Sequence, residues 1–270
     1  MLSEVLLVAG AGMLSAALRS FRHPALFRAG TFGFVLTSFL AGWLVGGSAW
    51  TGGLFASTWF LLPWLEILTR ARKLRLPLDR QLESCAPPPR AAFPAFPELS
   101  EEMESGGFEH VEDASWHHED TRQFYRLFWS ADRTTAGAIC LVEQSEFVFY
   151  YIALRSRAAD GRLLITWNYP FSYGLQQMPN TILNRATGEK SILEMIRLHR
   201  AFLEREAGAG LRPMEESSLR AEIQDDLRGQ LDHNLACGIL KKAGESTICY
   251  TVRGMFFLWF QFLRDFVRFS

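Results

Sequence analysis

The stretch AGTFGFVLTSFLAGWLVGGSAW, Ala29–Trp50, contains no charged residue. As a helix it extends about 33 Å, enough to cross a hydrocarbon layer of roughly 30 Å. Read as a transmembrane helix, it divides the chain into a lipid-facing part and an aqueous part. Two apolar segments flank it, Leu2–Leu18 and Gly52–Leu68. Each reaches about 25 Å, the short end of the spanning range. The first has the length of a secretory leader, yet it carries Glu4 and no Lys or Arg ahead of its apolar run, the reverse of what a leader needs. Three spans, residues 2–18, 29–50 and 52–68, are therefore preferred to one span behind a removed leader.

The formal net charge of −1 and mean hydropathy of +0.03 average over unlike parts. Up to residue 75, seven basic residues (Arg19, Arg22, Arg28, Arg70, Arg72, Lys73, Arg75) stand against two acids, Glu4 and Glu66. With the N-terminus outside, both basic clusters fall on the cytoplasmic side and the nearly chargeless Gly46–Gly53 turn falls outside, as the positive-inside rule requires. The expected location is a bacterial inner membrane with the large acidic domain in the cytoplasm. Arg70, Arg72, Lys73 and Arg75 would attract anionic headgroups there.

Ser38, Gly42 and Gly46 recur every four residues on one face of the central span. Small residues let helices approach closely in lipid; the stripe serves either this chain's own hairpin or another membrane subunit or copy. Glu66 precedes Arg70 by four residues, the spacing of an interfacial helix pair. Pro63 is expected to kink the third span.

Six of the eleven prolines lie between Pro77 and Pro97. Such a stretch favours extended polyproline II and reads as a semi-rigid spacer, residues 76–97, or less commonly as an SH3-type ligand. Beyond it residues 98–253 take on an α+β texture. A short helix, ELSEEMES, stops at Gly106–Gly107. Apolar and β-branched runs follow, FEHVED, RQFYRLFWS, TTAGAICLVE, EFVFYYIALRSR and RLLITWNY, and the AADGR turn supplies hairpin chemistry. An antiparallel meander of about five strands results. Two amphipathic helices, SILEMIRLHRAFLERE and a second with leucines or isoleucine at 219, 223, 227, 231 and 235, are expected to cover one side of it. GILKKAGESTICYTVRG then reads as a second hairpin.

That hairpin, closing on Tyr250, Thr251 and Gly254 after a helix, resembles the wing of winged-helix proteins over residues 215–254. The whole chain resembles uncharacterised bacterial membrane proteins that join N-terminal spans to a cytosolic α+β domain. The wing resemblance implies nucleic-acid binding, but residues 190–253 hold ten basic and ten acidic residues, and phosphate binding wants clustered Lys and Arg. Nucleic acid is not an expected partner; the expected ones are the bilayer and other membrane subunits or a second copy.

No G-x-S-x-G, Walker A or G-x-G-x-x-G sequence occurs, so no motif names a reaction or a cofactor. The four cysteines form no C-x-x-C pair and read as buried thiols. SWHHED, Ser115–Asp120, is rich in metal ligands, but neighbours on an extended segment point apart, and a solvated loop is the default. His199, on the apolar face of its helix, reads as a hydrogen-bonded core residue. The segment Pro170–Glu189 is long for a connection, and its uncharged polar groups Tyr173, Gln176, Gln177, Asn180 and Asn184 are the candidate ligand site.

The last fifteen residues carry seven aromatics. On a helix, Gln261, Arg264, Asp265 and Arg268 form a polar stripe opposite Phe256, Trp259, Phe260, Leu263 and Phe266. The apolar run is too short to span, which is the pattern of a helix lying in a membrane interface; the domain itself, the ends of the spans, or a partner would suit the same face. The expected role is a non-catalytic anchored adaptor or accessory subunit. A tethered enzyme or ligand sensor using the 170–189 loop is the alternative, and a tethered winged-helix-like regulator the third.

Overall fold

The computed structural model describes residues 2–21, 23–144, 147–171, 173–189, 191–208, 210–213 and 219–268. Arg22, residues 215–218 of the wing-like stretch and residues 269–270 of the last helix lie outside these.

The N-terminal apolar residues form three packed helices, α1 (Leu2–Ser20), α2 (Pro24–Gly46) and α3 (Ala49–Glu66). Pro24 opens α2, where its missing N–H and fixed φ cost nothing. Gly47 closes the helix in the left-handed region (φ 65°), donating to the Trp43 carbonyl. Ser48 then caps α3 by accepting from the Thr51 N–H. The break at Gly47–Ser48 moves the boundaries from those expected, 29–50 and 52–68. Among the described residues one helix, Ala25–Gly46, is long and apolar enough to cross a membrane. Only 17% of its apolar window is buried within the molecule. Pro63 does not end α3; the helix relaxes past it into a π-helical turn, Ile67–Ala71, where the Ile67 N–H reaches the Pro63 and Trp64 carbonyls. Arg70 and Glu66 form the expected i,i+4 pair at 3.7 Å, with both side chains mostly exposed.

The Pro-rich segment is not a spacer. Strand β1 (Leu76–Pro77) pairs with β11 (Thr247–Tyr250), and β2 (Glu83–Ser84) pairs with β3 (Phe108–His118). Leu82 enters one core, and Phe93 and Phe96 enter another. Extended backbone suits edge pairing as well as polyproline II, and Pro77 takes an edge position that prolines tolerate. Helix α4 (Phe96–Ser105) follows.

Strands β3, β4 (Thr121–Ser130), β5 (Thr135–Gln144), β6 (Phe147–Ala158) and β7 (Leu163–Trp167) form the expected antiparallel meander. The AADGR turn connects β6 and β7, with Gly161 at φ 87°. SWHHED is not a loop: Ser115–His118 end β3, and Glu119–Asp120 make the turn, Glu119 at φ 52°. The 170–189 segment contains β8 (Thr181–Arg185), parallel to β7. A parallel pair needs a crossover of about a dozen residues, which explains the length of the connection before it.

Helices α5 (Ile192–Glu206) and α6 (Leu219–Ala236) pack on opposite faces of this sheet. Ile192, Met195 and Ile196 join α4 over Phe124, Phe128, Ile139 and Ile152. Leu219, Ile223 and Leu227 lie over Tyr125, Leu127, Ala138 and Tyr151. The expectation that both cover one side fails because periodicity fixes which face of a helix is apolar, not which side of a sheet receives it. Short strand β9 (Leu211–Arg212) pairs with β6, and β10 (Leu240–Lys242) completes a second sheet, β1-β11-β10.

Helix α7 (Val252–Arg268) returns to the N-terminal bundle. Gly254 sits against the Ile239 carbonyl so closely that any Cβ would collide. Phe266 stacks on Trp59 at 5.4 Å, Trp259 on Trp64 at 6.3 Å, and Trp259 Nε1 donates to the Phe60 carbonyl at 2.7 Å. The polar stripe does not face water as a unit. Gln261 and Asp265 are buried against the domain, where Arg185 Nη1 donates to Asp265 Oδ1 at 2.9 Å. Phe256 and Phe260 are more than half exposed.

Candidate functional site

The side chains that line one polar and aromatic hollow come from the segment after α3, one face of the large sheet, α6 and β11. The π turn and the residues after it bring Arg70, Lys73 and Arg75 to the hollow, then β1 docks on β11 and delivers Arg80. Asp79 turns away to Gln81 and to Arg228 of α6, and the Gln81 hydrogen bond is the main cause of its lowered carboxyl pKa. Arg80 is thus left without a carboxylate among the described residues. Its guanidinium lies 5.1 Å from the centre of the Trp116 ring, and its Nε is buried without an acceptor.

The walls belong to one face of the sheet because side chains alternate along strands. Trp116 of β3, Gln123 and Tyr125 of β4, Tyr151 of β6 and Trp167 of β7 all point to the α6 side, and Tyr169, Tyr173 and Tyr250 close the ring. The hollow measures about 530 Å³, within the range of small-molecule sites. A smaller one of about 140 Å³ shares Tyr125, Tyr151, Trp167 and Tyr173 with it and reaches Cys140, Arg155 and Gln177. Trp167 and Tyr173 meet edge to face at 5.0 Å, and Tyr151 and Tyr169 at 5.1 Å.

Burial fixes the protonation of this wall. It pushes the Tyr173 phenol up to about 12 and raises those of Tyr125, Tyr151, Tyr169 and Tyr250; the Arg80 charge partly offsets burial at four of the five, Tyr151 excepted. The Cys140 thiol is pushed up to about 12, also by burial. All are neutral near pH 7. Tyr151 accepts from Gln123 Nε2 at 2.8 Å, and Tyr250 donates to the Gly174 carbonyl at 3.2 Å. Gly174 is required there, since a Cβ would come within 2.6 Å of the Tyr250 hydroxyl. The Trp116 indole approaches the Tyr125 hydroxyl without reaching hydrogen-bond geometry, so Trp116 Nε1, like Trp167 Nε1, is buried without an acceptor.

Of the five polar residues expected to form a site in the 170–189 loop, Tyr173 lines the larger hollow and Gln177 the smaller. The other three support structure. The Gln176 backbone is clamped by Gln230 and Asn234 of α6, the Asn180 carbonyl accepts from the Leu163 N–H, and Asn184 Nδ2 donates to Thr166 Oγ1 at 3.3 Å. Arg70, Lys73 and Arg75 line the mouth, whereas Arg72 is exposed away from it. The stripe Ser38, Gly42 and Gly46 is spent on α3. Trp59 Nε1 donates to Ser38 Oγ at 2.7 Å, a Cβ on Gly42 would meet the Thr51 carbonyl at 2.6 Å, and Gly46 abuts the Thr51 side chain. Leu263 is half-buried, and Trp259 and Phe266 are taken up by α3.

A buried titratable group also lies on α5, on the opposite side of the sheet. His199 is buried between Ser156 Oγ (3.1 Å from Nε2) and Thr166 Oγ1 (2.8 Å from Nδ1), and burial lowers its pKa to about 4. Ser156 is fully buried, and His199 borders a separate hollow of about 560 Å³ shared with Thr135, Arg200 and Glu204. Among the described residues no three His, Cys, Asp or Glu side chains are grouped to hold a metal ion. Arg80, Trp116, Gln123, Tyr125, Tyr151, Trp167, Tyr169 and Tyr250 were not visible as a set in the sequence. The available signal was aromatic residues at alternate strand positions, which becomes a site only once the strand register is known. No protein-family model, curated protein or solved structure matches the chain.

Proposed function

We propose that the chain is a non-catalytic, membrane-anchored receptor, with its binding cavity at the cytoplasmic surface of a bacterial inner membrane. The observation that carries this reading is the position of the cavity mouth: Arg70, Lys73 and Arg75, which line it, directly follow the last helix of the N-terminal bundle. Anchoring is supported by α2, whose apolar window is left largely uncovered, where a core helix of a soluble protein would be enclosed. Exposed aromatics collect at the same end. Phe147 and Phe171 stand beside Phe262 of α7, and Phe256 and Phe260 lie exposed along α7. Aromatic side chains beside a basic collar suit the headgroup layer. The non-catalytic part of the reading is supported by the inner wall, whose neutral phenols and thiol supply hydrogen bonds and apolar surface; His118, Glu119 and Asp120 line the same hollow at the β3–β4 turn. An accessory role remains compatible, with a partner using some face other than the Ser38–Gly46 stripe.

Native mass spectrometry of the full-length protein, released from mild detergent, tests the receptor reading. The wild type is expected to retain a non-protein adduct, and V142W, which fills the cavity from β5, is expected to lose it while keeping its thermal transition. An adduct retained equally by a folded V142W would contradict the reading, as would a wild type that carries none.

A further inference from the structure

We propose that the ligand of this cavity is a phosphate ester with an apolar portion, the chemistry of an anionic lipid headgroup. The inference rests on the receptor reading and narrows it. Arg80 is a half-buried cation whose Nε has no acceptor, and no carboxylate pairs with it among the described residues. A guanidinium without a carboxylate partner leaves its planar fork open to an anion, and that fork matches phosphate oxygens. The wall also holds donors that lack acceptors. The indole N–H groups of Trp116 and Trp167 are buried without acceptors, and the hydroxyls of Tyr169 and Tyr173 have no hydrogen-bond partner among the described residues. An occupant that completes this wall brings several acceptor oxygens and negative charge, and phosphate supplies both.

Charge at the mouth supports the same sign. Arg70, Lys73 and Arg75 stand at the rim, against Glu119 and Asp120 of the β3–β4 turn, which also line it. Neither acid reaches Arg80; Glu119 has His118 Nε2 at 3.9 Å. Beyond the guanidinium the wall turns aromatic, through Tyr125, Tyr151, Trp167 and Tyr173, into the smaller hollow lined by Ile223 and Met178. A bare phosphate would leave that surface wet, whereas a phosphate carrying glycerol and the start of acyl chains would cover it.

The test uses the full-length protein in a neutral detergent, with intrinsic tryptophan fluorescence reporting from Trp116 and Trp167. Three probes are titrated: dihexanoyl phosphatidic acid, glycerol 3-phosphate and the uncharged dihexanoylglycerol. Phosphatidic acid is expected to bind saturably, R80Q to weaken it roughly 10- to 100-fold, and R80K to recover part of the loss, all with an unchanged thermal midpoint. Tighter binding of phosphatidic acid than of glycerol 3-phosphate supports the apolar portion and a bilayer source; equal binding would overturn the apolar portion and leave only the phosphate. Dihexanoylglycerol binding as tightly as phosphatidic acid, with folded R80Q unaffected, would overturn the anion while leaving the receptor reading intact. Saturable binding of none of the three would overturn the proposal, and the adduct lost or kept by V142W would decide separately whether the cavity binds anything.

Discussion

Replacing Asp226 with alanine is expected to lower the stability of the full-length protein by about 3 kcal/mol, among the larger losses that one side chain can cause. Asp226 sits on α6 and receives both Arg155 and Arg157 of β6; Arg157 Nη2 lies 3.2 Å from each of its oxygens. Arg155 keeps only 11% of its side-chain exposure. Burial is the main influence lowering its pKa, and Asp226 is the main one restoring it. Removing the carboxylate strands a desolvated guanidinium between helix and sheet, and breaking a buried pair from one side costs about 3–5 kcal/mol. The lower end applies because Glu222 also favours the Arg155 charge and Asp226 is itself 21% exposed. Thermal unfolding in detergent checks the value. The double variant R155M/D226A, which removes the stranded charge, is expected to recover much of the loss. A D226A loss below about 1 kcal/mol would show that the pair does not hold α6 on the sheet.

The second large effect is a pH dependence assigned to His199. Its ordinary pKa is 6.5 and burial lowers it to about 4 in the fold. Above pH 6.5 the imidazole is neutral in both folded and unfolded chains and contributes no slope. As pH falls from 6.5 towards 4 the unfolded chain takes up a proton that the folded one refuses, and stability falls by about 1.4 kcal/mol per pH unit, or ~3 kcal/mol in all. H199Q keeps an amide able to bond Ser156 and Thr166 but cannot titrate. The stability advantage of wild type over H199Q is therefore expected to shrink by ~3 kcal/mol between pH 7 and pH 4. Carboxylates elsewhere act equally on both proteins and cancel in the difference. An advantage that stays constant or grows on acidification would refute the assignment.

The elements that were legible in the sequence are those whose signals are local. The turn around Gly161, the strand runs from Phe108 to Trp167 and the apolar face of α5 through Ile192, Met195, His199 and Phe202 are each specified by a few adjacent residues. What was not legible depends on pairing at a distance. Leu82 and Phe93 lie close together in a Pro-rich stretch but enter opposite cores, because the chain between them crosses the sheet edge. Thr181–Arg185 becomes a strand only because β7 offers a parallel neighbour. Asp265, read as part of a polar stripe, is buried because Arg185 of that same strand pairs with it. The binding cavity was hidden for the same reason: Tyr125 and Tyr151 are separated by twenty-five residues of hairpin and share a face only through Cys140, which pairs with both.

Depth measurement in proteoliposomes tests the anchored receptor most directly. Single nitroxide labels at positions 36, 260 and 160, in a background lacking the native cysteines, report access to lipid-soluble oxygen and to a water-soluble nickel reagent. The label at 36, on the exposed face of α2, is expected to lie deep in hydrocarbon, that at 260 near the headgroups, and that at 160 in water. A label at position 36 as open to the nickel reagent as one at 160 would contradict the account.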